Sequence, residues 1–333
     1  MDYPFVDASP APEEGQPDDR PVLGLTIGDA AGVGPELLHE SLNSGLLPTH
    51  VRYRVIGDAA GITPGEPSEE SARRGLEALQ ESVGLIRSGE IKGVVTGPVS
   101  KAAIYALGFE FPGQTEFFAR TFGVEHYTMC LTGPHLTVGL VTIHVPLKDV
   151  AGLLTLEGIV NAGRLVHAFC LQRGHFYPRI AVAGLNPHAG ESGRLGDEEE
   201  TIIRPAVDAL NAEFPSVFSG PLPPDTLFYQ AYRRDYHAVI CMYHDQGLIP
   251  LKMVDFREGV NVTLGLPFVR TSPDHGTAFN IAGRGEARPD SFISAIRLAA
   301  HLVSHPEGLR NLRWFKPPPP GAPAPEPSPP ADG

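Results

Sequence analysis

From Pro21 onward, short runs rich in β-branched residues alternate with longer stretches in which apolar side chains recur every 3.6 residues. That alternation is the pattern of a mostly parallel α/β sheet. It predicts strands over Val22–Ile27, Tyr53–Ile56, Gly93–Thr96, Tyr127–Leu131, Thr137–Ile143, Arg179–Ala183, Ala238–Met242 and Val260–Leu264. Helices are predicted over Glu70–Ser88, Val99–Leu107, Leu156–Gln172, Glu198–Ala212 and Ser291–Val303. There is no internal repeat and no Gly- or Ser-rich interior linker, so a second domain must arise by the chain crossing over and returning.

The 333 residues suffice for one large or two medium domains with an ample core. The net charge of -13 disfavours a nucleic-acid or membrane-surface partner, because both carry negative charge. The excess acid is uneven: residues 1–20 hold six acids and one base, residues 316–333 two acids and one base, and these two ends contain 13 of the 34 prolines. Both ends are therefore expected to lie outside the fold as disordered segments. The run from Pro317 to Pro330 is polyproline-like by composition. Cys130, Cys170 and Cys241 are an odd number without C-x-x-C spacing, each in an apolar stretch, and read as buried reduced thiols. The first twenty residues lack a basic and an apolar leader region, and no apolar run reaches bilayer length. A soluble cytoplasmic protein is expected.

Two nucleotide motifs are absent. None of the five lysines follows a glycine, which excludes a Walker A loop, and no strand is followed by G-x-G-x-x-G. Gly28-Asp29-Ala30-Ala31-Gly32-Val33-Gly34-Pro35-Glu36 follows the first strand and leads into a helix, with Pro35 in the first turn. Such a loop either admits an anion to the helix N-terminus or is a plain tight turn.

Three histidines each stand just beyond a hydrophobic strand: His144, His188 and His244, spaced by 44 and 56 residues. Ligand crevices of open α/β sheets lie at the carboxyl ends of strands, so the three can converge on one point. Three imidazoles with open positions make a catalytic metal site, whereas any one alone reads as a hydrogen-bonded loop histidine. Lys252, Asn261 and Arg270 follow His244 at short intervals and suit an anionic substrate, Arg as a bidentate fork and Lys as a tunable point charge. The small-residue loop from Asp274 to Gly285 suits close approach of a ligand to backbone, and reads equally as a structural loop.

Together these segments resemble the 4-hydroxythreonine-4-phosphate dehydrogenase family of vitamin B6 biosynthesis, over about Pro21 to Val303. The resemblance is carried by Gly28–Glu36, Val95–Lys101, Gly113-Gln114-Thr115-Glu116-Phe117, Leu185–Glu191, Tyr243–Lys252 and Asn261–Gly285. It implies the two-domain α/β/α fold of the isocitrate/isopropylmalate dehydrogenase-like superfamily. Residues 21–112 with 265–315 would form the NAD-side domain, and 113–264 the metal- and dimer-side domain. It further implies that His144, His188 and His244 bind a divalent metal such as zinc, magnesium or cobalt, with one histidine contributed by the partner of a homodimer.

Gln114, Thr115, Lys252, Asn261 and Arg270 occupy the family's substrate positions, and NAD, with NADP as an alternative, would lie along His275, Gly276, Thr277, Ala278 and Asn280. Lys252 is the leading candidate for proton relay, with Asp245 and Asp225 as helpers. The implied reaction oxidises 4-phosphooxy-L-threonine to a β-keto acid that loses carbon dioxide to give 3-amino-2-oxopropyl phosphate. Related dehydrogenases of phosphorylated sugar acids or dihydrodiol carboxylates are the nearest alternatives, and a phosphate acyltransferase of the same fold a remote one. The sequence departs from the family at Gln114, where many members carry His, and at Ala30, where proline is commoner. The stretch Gly57–Ser71 is also shorter.

Overall fold

The apolar runs assemble into one ten-stranded sheet among the described residues, 18–305, of a computed structural model. In chain order the strands are β1 (Val22–Thr26), β2 (Arg52–Ile56), β3 (Gly93–Thr96), β4 (Thr128–Thr132), β5 (Thr137–Leu140), β6 (Ile180–Ala183), β7 (Phe218–Leu222), β8 (Ala238–Cys241), β9 (Val260–Leu264) and β10 (Val269–Pro273). The helices are α1 (Gly34–Asn43), α2 (Glu69–Ser88), α3 (Lys101–Ala106), α4 (Gln114–Thr121), α5 (Val150–Leu153), α6 (Leu156–Gln172), α7 (Arg204–Glu213), α8 (Pro224–Tyr232), α9 (His244–Asp255) and α10 (Asp290–Ser304). The polyproline-like run and nearly all of the acidic head lie outside the described residues. At the boundary, Asp18 pairs with Arg20 at 2.7 Å and with Arg52 of β2 at 3.5 Å.

The strand order is β2-β1-β3-β10-β9-β4-β5-β8-β6-β7. All pairings within β2-β1-β3-β10 and within β5-β8-β6-β7 are parallel. Three antiparallel joints, β10–β9, β9–β4 and β4–β5, separate the two flanks and reverse strand direction between them. Strands β1, β3, β4, β5, β6 and β8 are almost wholly buried, as sheet strands covered on both faces by helices are.

Local sequence sets the long helices. Ser68 and Ser71 form a reciprocal capping box at the start of α2, and Gly89 ends it in the left-handed conformation at φ 77°. Thr155 caps α6 through the Gly158 N–H. Their apolar faces, including Leu76, Leu79 and Val83 of α2 and Ile159, Leu165 and Phe169 of α6, close the core against the sheet.

Two strands depart from the sequence expectation. Strand β10 reads Val-Arg-Thr-Ser-Pro and has no apolar run, yet all but its first residue are buried. Strand β7 contains Gly220-Pro221, which a sheet tolerates only at an edge, and it is the edge strand. The strand expected over Thr137–Ile143 ends at Leu140. Val141 and Thr142 still donate to the carbonyls of Cys241 and Met242, at 2.9 and 3.2 Å. The stretch expected as helix over Glu198–Ala212 begins with a π turn, Glu199–Ile203, before α7. Helices α4, α8 and α9 also form where no helix was foreseen, because Gly113, Pro223-Pro224, and Gly247 with Pro250 interrupt the periodicity. Cys130, Cys170 and Cys241 are buried and free, and burial pushes the Cys170 thiol up to about 12. Among the described residues no helix is long and apolar enough to cross a membrane.

Candidate active site

A cavity of about 340 Å³ opens where the β2-β1-β3-β10 flank meets β9, β4 and the start of α4. Arg270 projects into it from β10 with only 3% of its surface exposed. Its guanidinium donates to Thr96 Oγ1 and Gln114 Oε1, both at 2.7 Å, and to Thr263 Oγ1 at 3.2 Å. The Gln114 amide in turn donates to the Gly97 carbonyl at 3.2 Å. Every oxygen holding Arg270 is neutral, and no described carboxylate pairs with it within 4.0 Å. Burial holds its pKa down to about 10, which still leaves it charged at neutral pH, with the charge of Glu116 pulling the other way. A fully buried cation without a counter-ion, facing a cavity, is a fixed receptor for an anionic ligand.

Unpartnered polar atoms, acceptors as well as donors, line the same cavity. Asn261 Oδ1, Arg270 Nε, Glu116 Oε2 and His275 Nε2 are buried without a hydrogen-bond partner, and all four residues line the cavity. Thr115 Oγ1 lies 3.2 Å from Thr263 Oγ1 beneath Arg270. Lys252 reaches the cavity from α9 and pairs with Asp274 at 3.1 Å. Burial raises the Asp274 carboxyl, and Lys252, His275 and His244 offset part of that rise.

The three sequence-predicted histidines follow β5, β8 and β6, which are adjacent and parallel. Two of them meet: the rings of His144 and His244 lie 5.8 Å apart. Each faces a carboxylate through Nδ1, His244 toward Asp245 at 2.7 Å and His144 toward Glu116 at 3.5 Å. A carboxylate on Nδ1 fixes the tautomer and leaves Nε2 as the free donor of an electron pair, the arrangement that metal-binding imidazoles use. His188 stands apart, in a neighbouring hollow of about 420 Å³ with Asn186, Asp225, Tyr243 and Gln246. Among the described residues no three His, Cys, Asp or Glu side chains of this one chain cluster in metal-binding reach. The donor set fits a metal only as a pair with a third ligand from elsewhere.

His188 sits on an unusual backbone. His188, Ala189, Gly190, Glu191 and Ser192 all have positive φ, from 46° to 79°. Four of these are not glycine, and each left-handed residue of that kind costs about 1–3 kcal/mol unless its surroundings hold it. Gln246 joins the two histidine-bearing turns: its side chain accepts from Met242 N at the end of β8 and donates to the Gly184 carbonyl at the end of β6, both at 2.7 Å. At its other end α9 is fixed by buried Asp255, which accepts from the Leu136 amide at 2.9 Å and from the amide and ring of His135.

The site residues expected from sequence thus divide. Gln114, Thr115, Lys252, Asn261, Arg270, His144, His275 and Gly276 share the cavity. His244 and Asp245 line the adjoining hollow with Lys252 and Asp274, while Asp225 lies with His188 away from Lys252. Of Thr277, Ala278 and Asn280, Thr277 meets the glycine loop, its carbonyl accepting from Val33 N at 2.9 Å. That loop is closely packed: a Cβ at Gly28 would strike the Pro98 carbonyl, and one at Gly32 would lie 3.0 Å from the Thr277 carbonyl. Its glycines serve backbone contact, and the carboxylate of Glu36 accepts from the amides of Gly283 and Gly285 at 2.7 and 2.8 Å. Glu116, Thr96, Thr263 and Asp274 belong to the site without having been assigned a role from sequence. All four lie inside recognised segments, Thr96 in Val95–Lys101, Glu116 in Gly113–Phe117, and Thr263 and Asp274 in Asn261–Gly285, but residue type alone does not single them out there.

Fold and cavity together define an α/β protein with a receptor for a small anion beside a pair of oriented histidines. The chain belongs to the family of the pyridoxal phosphate biosynthetic protein PdxA, whose family model matches residues 36–299. It is 44% identical over 327 residues to a 4-hydroxythreonine-4-phosphate dehydrogenase of Caulobacter vibrioides, covering 85% of this chain and 97% of that protein. The corresponding enzyme of Bradyrhizobium diazoefficiens is 49% identical over 289 residues, covering 85% and 84%. Among solved structures, a 4-hydroxythreonine-4-phosphate dehydrogenase from Klebsiella pneumoniae superposes with a TM-score of 0.72 at 34% identity, covering 86% of this chain and 98% of that one.

Proposed function

We propose that the protein, whose relatives are named 4-hydroxythreonine-4-phosphate dehydrogenase, oxidises 4-phosphooxy-L-threonine with NAD in a divalent-metal-dependent reaction, and that the resulting 2-amino-3-oxo-4-phosphooxybutanoate decarboxylates to 3-amino-2-oxopropyl phosphate. The observation that carries this reading is the buried, uncompensated Arg270 held by Gln114, Thr96 and Thr263 beside the cavity-facing Asn261. Arg270 holds an anionic group of the substrate, with Asn261 and Thr115 fixing the polar groups next to it. Lys252, held beside the cavity by Asp274, takes the proton of the reacting hydroxyl on its amine nitrogen when it stands as the free amine. His144 and His244 hold the metal through Nε2, with Glu116 and Asp245 setting their orientation. When bound, the metal supplies Lewis acidity at the hydroxyl and carbonyl oxygens, and NAD supplies the hydride acceptor. The His275–Asn280 loop places the cofactor.

The same reading makes the protein a homodimer with a shared site. The partner's His188 completes the ligand set, which accounts for His188 standing apart within one chain. A stripe of exposed Ile249, Met253 and Phe256 on and just after α9, beside His244, suits such an interface. Residues 21–112 with 265–315, of which 306–315 lie outside the described residues, are assigned to the cofactor side and 113–264 to the metal and dimer side, a division supported by the strand order, in which the two sets do not interleave. The reading places the protein in the cytoplasm.

Purified protein given 4-phosphooxy-L-threonine, NAD and a divalent metal is expected to raise NADH absorbance. A panel containing 4-phosphoerythronate, 4-phosphothreonate and a dihydrodiol carboxylate is expected to react at least tenfold more slowly. Faster turnover of any of these would transfer the assignment to that substrate.

A further inference from the structure

We propose that Glu199 is a positioning residue for His188, acting through Asn186 as a clamp that holds the left-handed loop in the one conformation that presents the imidazole. The proposal rests on the reading of His188 as a metal ligand. Glu199 is 1% exposed, and nothing in the reaction uses it directly. Its Oε1 accepts from the amides of Leu185 and Asn186, both at 2.7 Å, and its Oε2 accepts from the Asn186 side chain at 3.0 Å. The same Asn186 amide group donates to Glu198 at 2.7 Å. These bonds grip the chain at the two residues that precede Pro187-His188.

The carboxylate also fills the space under the loop. A Cβ at Gly190 would lie 2.7 Å from Glu199 Oε2, and one at Gly184 would lie 3.1 Å from Oε1. The loop therefore closes over the carboxylate on both sides, and its glycines are where it touches. A run of positive-φ residues persists only where surrounding contacts over-determine it, and Glu199 fixes the residues at its entry while packing against Gly190 within it. The π turn at Glu199–Ile203 begins at this residue. Such turns are frequent at functional sites.

The test is titration of Co(II) into chelator-stripped protein, followed by its visible absorption, for wild type, Glu199→Gln, Asn186→Ala and His188→Ala. In Glu199→Gln an N–H₂ group replaces one of the accepting oxygens, and Co(II) affinity is expected to fall about 10- to 100-fold, as for other groups that orient a ligand. The melting temperature of the metal-free protein should stay close to that of wild type. Asn186→Ala keeps both backbone bonds to the carboxylate and should lose severalfold. It also decides the matter if Glu199→Gln does not fold. Wild-type Co(II) affinity in the clamp variants beside a weakened His188→Ala would overturn the clamp alone. Unchanged affinity in His188→Ala would remove the metal reading and the proposal with it.

Discussion

Arg270 and Gln114 are joined by a 2.7 Å hydrogen bond in which the guanidinium donates to the side-chain oxygen, while the other end of the same amide is tied to the Gly97 carbonyl. Gln114 thus orients the anion receptor instead of serving as an acid or base. Gln114→Glu would set a carboxylate oxygen against the Gly97 carbonyl and neutralise Arg270. kcat/KM for the phosphorylated substrate is expected to fall by roughly 1.5–3 kcal/mol through a raised KM, the scale of a bond to a charged group. An unchanged KM would remove Gln114 from this role.

Arg270→Ala is expected to lower kcat/KM by about 2–5 kcal/mol, because it leaves a bound anion without its buried partner. Arg270→Lys should recover little, since an ammonium cannot reach Thr96, Thr263 and Gln114 together as the planar fork does. Steady-state kinetics of the two variants decide it, and full activity of the Lys form would contradict the requirement for the fork.

Exhaustive chelation is expected to abolish NADH formation and added Co(II) to restore it, with His188→Ala showing neither full activity nor restoration. Activity insensitive to chelation would end the metal-dependent reading.

Glu36→Gln removes one of the two oxygens that accept from Gly283 and Gly285. Because these glycines close the loop that begins at His275, KM for NAD should rise by about 1–3 kcal/mol in binding free energy, with KM for the other substrate little changed. Equal changes in both constants would assign Glu36 to general stability.

The rings of His175 and His237 lie 4.4 Å apart. Burial lowers the pKa of both below the ordinary 6.5. The charges of Arg173, Arg179 and Arg234 add to this at His175, and those of His175 and Arg179 at His237. The unfolded chain therefore binds more protons than the folded one as pH falls below 6.5, and stability present above that value is lost on the way down. Urea midpoints measured at pH 7.5 and 5.5 should converge in a His175→Gln/His237→Gln variant. An identical drop in variant and wild type would exclude the pair.

Much of this fold was legible because β1, β3, β6 and β8 are apolar runs buried on both faces, and period and composition announce such runs directly. Strand β10 was hidden because its burial depends on pairing its polar side chains with Thr96, Gln114 and Thr263, contacts that no local pattern encodes. The same limit applies to the site. Lys252, Asn261 and Arg270 were visible as polar residues close together in sequence. Glu199 was not, because its role comes from packing beneath a loop whose left-handed backbone does not show in residue types. The expected convergence of three histidines followed from adjacent parallel strands, and the turn after β6 carries His188 away from the other two within the chain.

Helix α9 is anchored at its start by Gln246, between the ends of β8 and β6, and at its finish by Asp255, under the β4–β5 turn. His244 and Lys252 ride on this one strut, eight residues or about 12 Å apart along its axis. Whatever draws the histidine toward a ligand carries the ammonium with it. Loosening either anchor would therefore disturb both groups at once, so a defect in proton transfer and a defect in metal capture can share a single cause far from either reacting atom.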